Sequence, residues 1–250
     1  LGRRMDLRLR DLRRGERGFR SSGTISGALE PTSLSGASAS NSFAVTQVGS
    51  AASTSTTEMK DGWGGFATID YFFGESETGF GNDNADVDGF AFTGGLDKTL
   101  GNGAVIGATI SYANSDNSLA SGLGDAEIKG ASFGLYGYMP LPNDFFVDGH
   151  ASTGRHRINT ARISQTPTTI FTSEAKTDSD MVLAGANIGR EFNMENGLNI
   201  TPLAGLLYAS YDIDGYTETG GAAALNVASR EITTTQLSVG ALVDWTMGKN

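Results

Sequence analysis

Residues 104–114, AVIGATISYAN, decide the fold class. Ala104, Ile106, Ala108, Ile110 and Tyr112 fall on one side of an extended chain, and Gly107, Thr109 and Ser111 on the other. Alternation with period two predicts a β-strand with one apolar and one polar face. The run is 11 residues long. An ordinary strand has about 5–6 residues, whereas a tilted crossing of a membrane's hydrocarbon layer needs about 9–11.

Outward from this stretch the same texture recurs. The expected strands are 63–73, 87–98, 104–114, 127–139, 144–157, 178–192, 198–212 and 232–247. In the first, Ala67, Ile69, Tyr71 and Phe73 oppose Thr68 and Asp70. In the fourth, Ala131, Phe133 and Leu135 oppose Ser132, Gly134 and Tyr136. In the fifth, Phe145, Val147, Ala151 and Thr153 oppose Asp148, His150 and Ser152. In the eighth, Leu237, Val239, Ala241, Val243 and Trp245 oppose Gln236, Ser238 and Asp244. The seventh is mixed, with Leu203 and Leu207 on its nominally polar side.

The links between strands alternate. Those at 74–86, 115–126, 158–177 and 213–231 are long and polar; those at 99–103, 140–143 and 193–197 are short and built from Gly, Asn and Pro. Tight turns at one end and long loops at the other are the arrangement of an outer-membrane barrel. A soluble sandwich has no reason to keep its long loops on one side. Aromatic residues near run ends, among them Trp63, Tyr71, Phe72, Phe73, Tyr112, Tyr136, Tyr138, Phe145, Phe146, Phe192 and Trp245, read as interfacial girdles. Strands favour aromatics in any case.

Composition agrees. Hydrophobic residues make up 38%, charged residues 18%, and 35 of 250 residues are Gly. That is lean for a densely packed soluble core but sufficient for strands that need one apolar face each. There is no cysteine, which suits a chain crossing an oxidising compartment unfolded. No apolar run reaches the roughly 18 residues of a transmembrane helix, and no signal peptide is visible after Leu1. The net charge is −10, yet residues 1–20 hold eight Arg against Asp6, Asp11 and Glu16. The acidic body would repel phosphate, so no nucleic-acid partner is expected. Residues 3–14, RRMDLRLRDLRR, predict a short helix with Met5, Leu9 and Leu12 on one stripe, ended by Gly15 and Gly18. Residues 19–61, rich in Ser, Gly, Ala and Thr, predict a flexible linker with at most some extended pieces.

Three patterns could carry chemistry. Gly130-Ala131-Ser132-Phe133-Gly134 matches a nucleophile elbow, but that motif needs a strand turning sharply into a helix, and here the strand runs on. Asp148, His150 and Ser152 share a strand face, where i, i+2 side chains stand about 7 Å apart in parallel; a polar lining explains them as well as a catalytic relay does. His156 is the only other histidine, too few for a His-rich metal site. Asn84 to Gly89, NADVDG, echoes a calcium loop, yet Gly95 stands where the closing Glu belongs; a solvated loop is the simpler reading. No catalytic, cofactor or metal residue is expected.

In order along the chain, GWGGFATIDYFFGES (62–76), DGFAFTGGLDKTL (88–100), GASFGLYGYMP (130–140), FFVDGHASTGRHRINTAR (145–162) and LNITPLAGLLYASYDIDGYTETG (198–220) resemble strands of the autotransporter β-domain of type V secretion. The head, RMDLRLRDLRRGERGF (4–19), resembles its pre-barrel helix. The resemblance implies an all-β fold, an antiparallel up-and-down transmembrane β-barrel with a short N-terminal helix. It implies a division into 1–18 pre-barrel helix, 19–61 linker and 62–250 barrel. It also implies an outer-membrane translocator, not an enzyme, that exports a passenger attached upstream of Leu1. Implied partners are outer-membrane lipid, the passenger and the barrel-assembly machinery; no cofactor is implied. That family's barrel has twelve strands and ends on an aromatic residue, so eight strands ending at Gly248-Lys249-Asn250 read as a truncated sequence, a closed eight-stranded barrel being the alternative. An eight-stranded interior is filled by side chains, so the head helix favours twelve. If the helix enters the pore, Arg8, Arg10, Arg13 and Arg14 are expected to meet inward acids such as Asp70, Asp97, Asp148 and Asp244; a merely solvated basic helix is the plainer possibility. A small outer-membrane porin or adhesin remains the second reading, a secreted soluble β-protein the third.

Overall fold

Two-faced strands of this length must satisfy their backbone groups against one another, and the structure shows how. It is a computed structural model and describes residues 2–13, 18–28, 55–57, 60–77, 84–119, 124–165, 168–194, 197–221 and 223–245. Helix α1 spans Gly2–Arg13. The strands are β1 (Phe19–Ala28), β2 (Ser55–Thr57), β3 (Trp63–Glu77), β4 (Asn84–Thr99), β5 (Val105–Leu119), β6 (Gly124–Pro140), β7 (Phe145–Gln165), β8 (Ile170–Arg190), β9 (Phe192–Asn193), β10 (Leu198–Ile213), β11 (Tyr216–Thr217), β12 (Asn226–Val227) and β13 (Arg230–Trp245).

All eight expected runs are strands, and consecutive long strands pair antiparallel. Registers keep like faces together: Thr93 pairs with Ser111, and Ser111 with Ser132. The strands run well past the expected ends on the long-link side. β7 and β8 stay paired out to Gln165 and Ile170, so most of the 158–177 link is ladder. A polar hairpin can extend its hydrogen bonds into water without an apolar face, which is why alternation alone stopped short. At the other end the turns are tight. Gly103 donates to Leu100 O at 2.9 Å with φ of 81°. Asn143 and Asp144 adopt left-handed φ of 60° and 62°, a region that Asn and Asp tolerate better than most residues.

Burial is inverted relative to a water-soluble protein. Thr68, Thr93, Thr109, Ser179 and Thr201 are buried, while Ile69, Ile110, Leu135, Val182, Ile188 and Leu206 are exposed. Ile110 is 59% exposed and its neighbour Thr109 1%. Two layers of a soluble sandwich would bury those isoleucines against each other. Here the polar side faces inward, where α1 lies, and the apolar side faces out.

Two features depart from the sequence reading. Phe19–Ala28, placed in the linker, is a strand, and it runs parallel to β3 from Phe19 opposite Gly65 to Ala28 opposite Gly74. Ser55–Thr57 pairs antiparallel with it. The free edge of β3 offers main-chain donors and acceptors; an extended segment can take them without large apolar side chains, so composition gives no warning. Residues 29–54 of the expected linker lie outside the described residues. Second, Phe146 and Tyr136 are buried and Tyr138 is partly buried against the helix, so these three line the interior and do not join a girdle: the period-two register of β6 and β7 turns their even-numbered residues inward. Among the described residues, β13 pairs with β10 alone.

Candidate functional site

The inner wall near the tight turns carries the helix. Met5, Leu9 and Leu12 are completely buried, packed with Phe66, Val105 and Tyr136, with Tyr138 alongside. The stripe of three apolar residues read from the sequence thus presses on three strands, β3, β5 and β6. Burying each side chain of this size is worth about 1.5–3 kcal/mol. Phe66 meets Tyr136 edge-on with ring centroids 6.0 Å apart.

Charged residues fix the helix more specifically. Arg8 donates from Nε to Asp97 Oδ2 at 2.8 Å and from Nη2 to Asp97 Oδ1 at 2.9 Å. Tyr136 donates its phenol to the same carboxylate at 2.7 Å. Arg8 Nη2 also reaches Gly18 O at 3.1 Å, and Gly65 N donates to that carbonyl at 3.0 Å. The helix exit is therefore tied to β3 through Gly18. Arg13 donates from Nε to Asp148, which also accepts from Asn187 Nδ2 at 2.8 Å, and its guanidinium lies 5.1 Å from the Phe146 ring centre. Both acids are almost wholly buried. Fork-to-carboxylate pairing is the strong, geometrically demanding form of the ion pair.

Glycine supplies the room. A Cβ on Gly64 would come within 2.5 Å of Asp97 Oδ1 and 2.6 Å of Arg8 Nη2; one on Gly107 would sit 2.4 Å from the Tyr136 ring. The high Gly count has a steric purpose at these two positions.

The geometry brings together Arg8 with Asp97 and Arg13 with Asp148. Arg10 is half-buried, and its Nε has no hydrogen-bond partner among the described residues. Arg14 lies outside the described residues. Asp70 lies on the inner face of β3, on the same side as Phe66, and takes part in neither pair. Asp244 falls in β13 opposite Asn199, with its side chain outside the described set. Two contributors escaped the sequence reading. Tyr136 was visible only as an aromatic on a polar strand face, and Asn187 carried no signal of its own.

The other patterns resolve into wall. Ser132 shares a hydrogen bond of 2.6 Å with Ser111, and its strand continues straight through. Asp148 is engaged by Arg13 and Asn187, while His150 and Ser152 lie buried on the same inner face of β7. Asn84 to Gly89 belongs to β4 itself, paired with Phe72–Glu77, so it is ladder and not a calcium loop.

At the opposite end, segment 214–229 between β10 and β13 folds back along β8. Thr219 and Glu174 exchange backbone hydrogen bonds of 2.8 and 2.9 Å. Arg162 donates from Nε to Glu218 Oε1 at 3.0 Å and from Nη2 to Oε2 at 2.5 Å, and also to Ala223 O at 2.8 Å. Leu225 N donates to Glu218 at 2.9 Å. These bonds from Arg162, with Leu225 N adding to them, hold the Glu218 carboxyl below its ordinary range.

Comparison with known proteins supports the architecture. Outer membrane protein B of Rickettsia typhi is 31% identical over 137 residues, 50% of this chain and 8% of that protein. Outer membrane protein B of Rickettsia japonica is 30% identical over 161 residues, 60% of this chain and 10% of that protein. The chain thus spans a tenth or less of the length of these relatives. The translocator domain of autotransporter NalP from Neisseria meningitidis superposes with a TM-score of 0.56 at 19% identity, over 68% of this chain and 57% of that one; the likeness is one of fold. Residues 65–250 match the Autotransporter beta-domain, and the chain belongs to that family.

Proposed function

We propose that this chain is the outer-membrane translocator of an autotransporter, a barrel wall whose polar inner face gives an N-terminal passenger a path to the cell surface. The observation that carries the reading is the inverted burial: an apolar belt outside, and hydroxyls and paired charges inside around a helix. A lipid-embedded wall needs that inversion. The tight turns face the periplasm and the long hairpins the exterior. Outer-membrane lipid, the upstream passenger and the barrel-assembly machinery are the partners. The chain's own contribution is structural: lipid is excluded, water is admitted, and no bond is made or broken.

Within that reading Arg8 and Arg13 are the helix's anchors, with Asp97 and Asp148 as their sockets. The buried pairs leave α1 docked once the passenger has moved through. Arg8→Glu with Arg13→Glu should lower surface display of a fused passenger, and adding Asp97→Arg with Asp148→Arg should restore part of it. Full display by the first variant would remove the anchoring role. A protein with unchanged gel mobility on heating in detergent would count against the barrel itself.

A further inference from the structure

We propose that β1 is an exchangeable edge strand: it covers the β3 edge of the unclosed wall and gives that edge up to an antiparallel strand of the same barrel when the ring closes. The inference rests on the translocator reading and adds a step to the assembly of its wall.

Direction sets β1 apart. Every step from β3 through β4, β5, β6, β7, β8 and β10 to β13 is antiparallel, so β13 runs opposite to β3. A ring of such strands closes antiparallel throughout. The β1–β3 ladder is the one parallel pairing among the described residues, and parallel pairing is slightly less stable per residue. It is also the shorter of the two ladders on β3. β4 pairs with β3 from Trp63 to Glu77, whereas β1 pairs only from Gly65 to Gly74.

Composition makes the same distinction. Ile69, Tyr71 and Phe73 are exposed on the outward side of β3. On the β4 side, Ile69 and Tyr71 stand opposite Phe92 and Phe90. On the β1 side, Ile69, Tyr71 and Phe73 stand opposite Gly23, Ile25 and Gly27. A permanent stave needs an apolar outer row against lipid, and glycine inside a strand weakens it. β1 brings main-chain donors and acceptors to β3 but little apolar surface for lipid to meet. That suits temporary cover of an edge that would otherwise pair with another chain. A closed ring has no edge left to cover.

The connections permit the exchange. The Gly18 carbonyl, at the exit from α1, accepts from Arg8 Nη2 and from Gly65 N. The chain therefore departs for β1 beside the start of β3, and it returns to β3 through Gly62 into Trp63. Gly18 and Gly62 have φ of 94° and 70°, a left-handed region in which glycine turns without steric cost. β1 can peel away between these two points while Asp97 and Asp148 keep α1 in place.

Ser21→Cys with Ala67→Cys, a pair in the β1–β3 register, lies within disulfide reach. The full-length protein carrying it would be refolded from urea into phospholipid vesicles and oxidised at successive times. Unheated gels separate the unclosed form from the compact closed one. The crosslink should form in the unclosed form and be lost from the closed one, whereas Thr93→Cys with Ser111→Cys, paired across β4 and β5, should crosslink in the closed form. Locking the Ser21–Ala67 pair before insertion should slow closure. Ser21 and Ser55 are already paired, so replacing residues 22–54 with a short glycine-serine turn removes most of β1 without stretching the chain. That variant should aggregate more during refolding, yet its closed form should keep the unaltered denaturation midpoint. A β1–β3 crosslink that persists in the closed form, or a lowered midpoint in the shortened variant, makes β1 a permanent stave and overturns the proposal. Absence of the crosslink from the unclosed form overturns it too. An unaltered protein that gives no heat-modifiable form at all fells the barrel reading, and this step with it.

Discussion

The two ends of the wall solve different problems with the same alternating strands. At the turn end the inner wall is packed: α1 lies against it, aromatic rings press on the helix, and the buried acids of β4 and β7 hold its arginines. At the hairpin end no helix is found among the described residues, and cohesion comes from extended ladders and from segment 214–229 strapped to β7 and β8. Removing a partner from a desolvated pair strands a charge, whereas removing one near water merely rehydrates it. The same ion-pair chemistry therefore has very different weight at the two ends.

That contrast can be broken. The largest effect is expected from Asp97→Ala, which leaves Arg8 buried and Tyr136 without its acceptor. Losses on breaking such a pair run to about 3–5 kcal/mol, readable as a large drop in the denaturation midpoint in detergent. A shift no greater than that of a surface variant would mean that the turn end is wet. Gly107→Ala comes next. Its Cβ would strike the Tyr136 ring, and overpacking of that kind costs about 1–3 kcal/mol. Loss of the phenol's bond to Asp97 should appear with it as a changed tyrosine absorption spectrum.

Acidification should sharpen the comparison, because the two ends carry glutamates shifted in opposite directions. Glu218 titrates below its ordinary 4.5 because Arg162 bonds the charged form. Its contribution is complete above that ordinary value and disappears as the pH falls through the depressed one. Glu191, in the turn after β8, titrates above 4.5 because burial and nearby Asp144 disfavour its charge, with Arg13 offsetting part of this. It is unstrained below 4.5 and opposes folding as the pH rises through its raised value. Proteolysis within 214–229 should therefore begin on acidification while the turn end stays protected, and Arg162→Gln should produce the same cleavage pattern at neutral pH. Simultaneous loosening of both ends would contradict this assignment. The smallest effect belongs to Arg157→Gln, an exposed cation on the outward side, whose loss should leave the denaturation midpoint almost unchanged.

The sequence by itself determined the wall. Period two sets the face of each residue regardless of neighbours, so Ile110 and Thr109 could be assigned to opposite sides before any pairing was known, and the tight turns followed from Gly, Asn and Pro. The helix and its stripe of Met5, Leu9 and Leu12 were legible for the same local reason. Tertiary structure alone decided which acids receive the arginines. Asp97 and Asp148 lie on the inner face as Asp70 does, but only the strand stagger brings them level with Arg8 and Arg13. It also decided that Phe19–Ala28 would take the free edge of β3 and that Glu218 would reach Arg162 across 56 residues. Side-chain direction is a property of a few successive residues, whereas contact depends on register between distant strands, and register is set only when the whole wall is assembled.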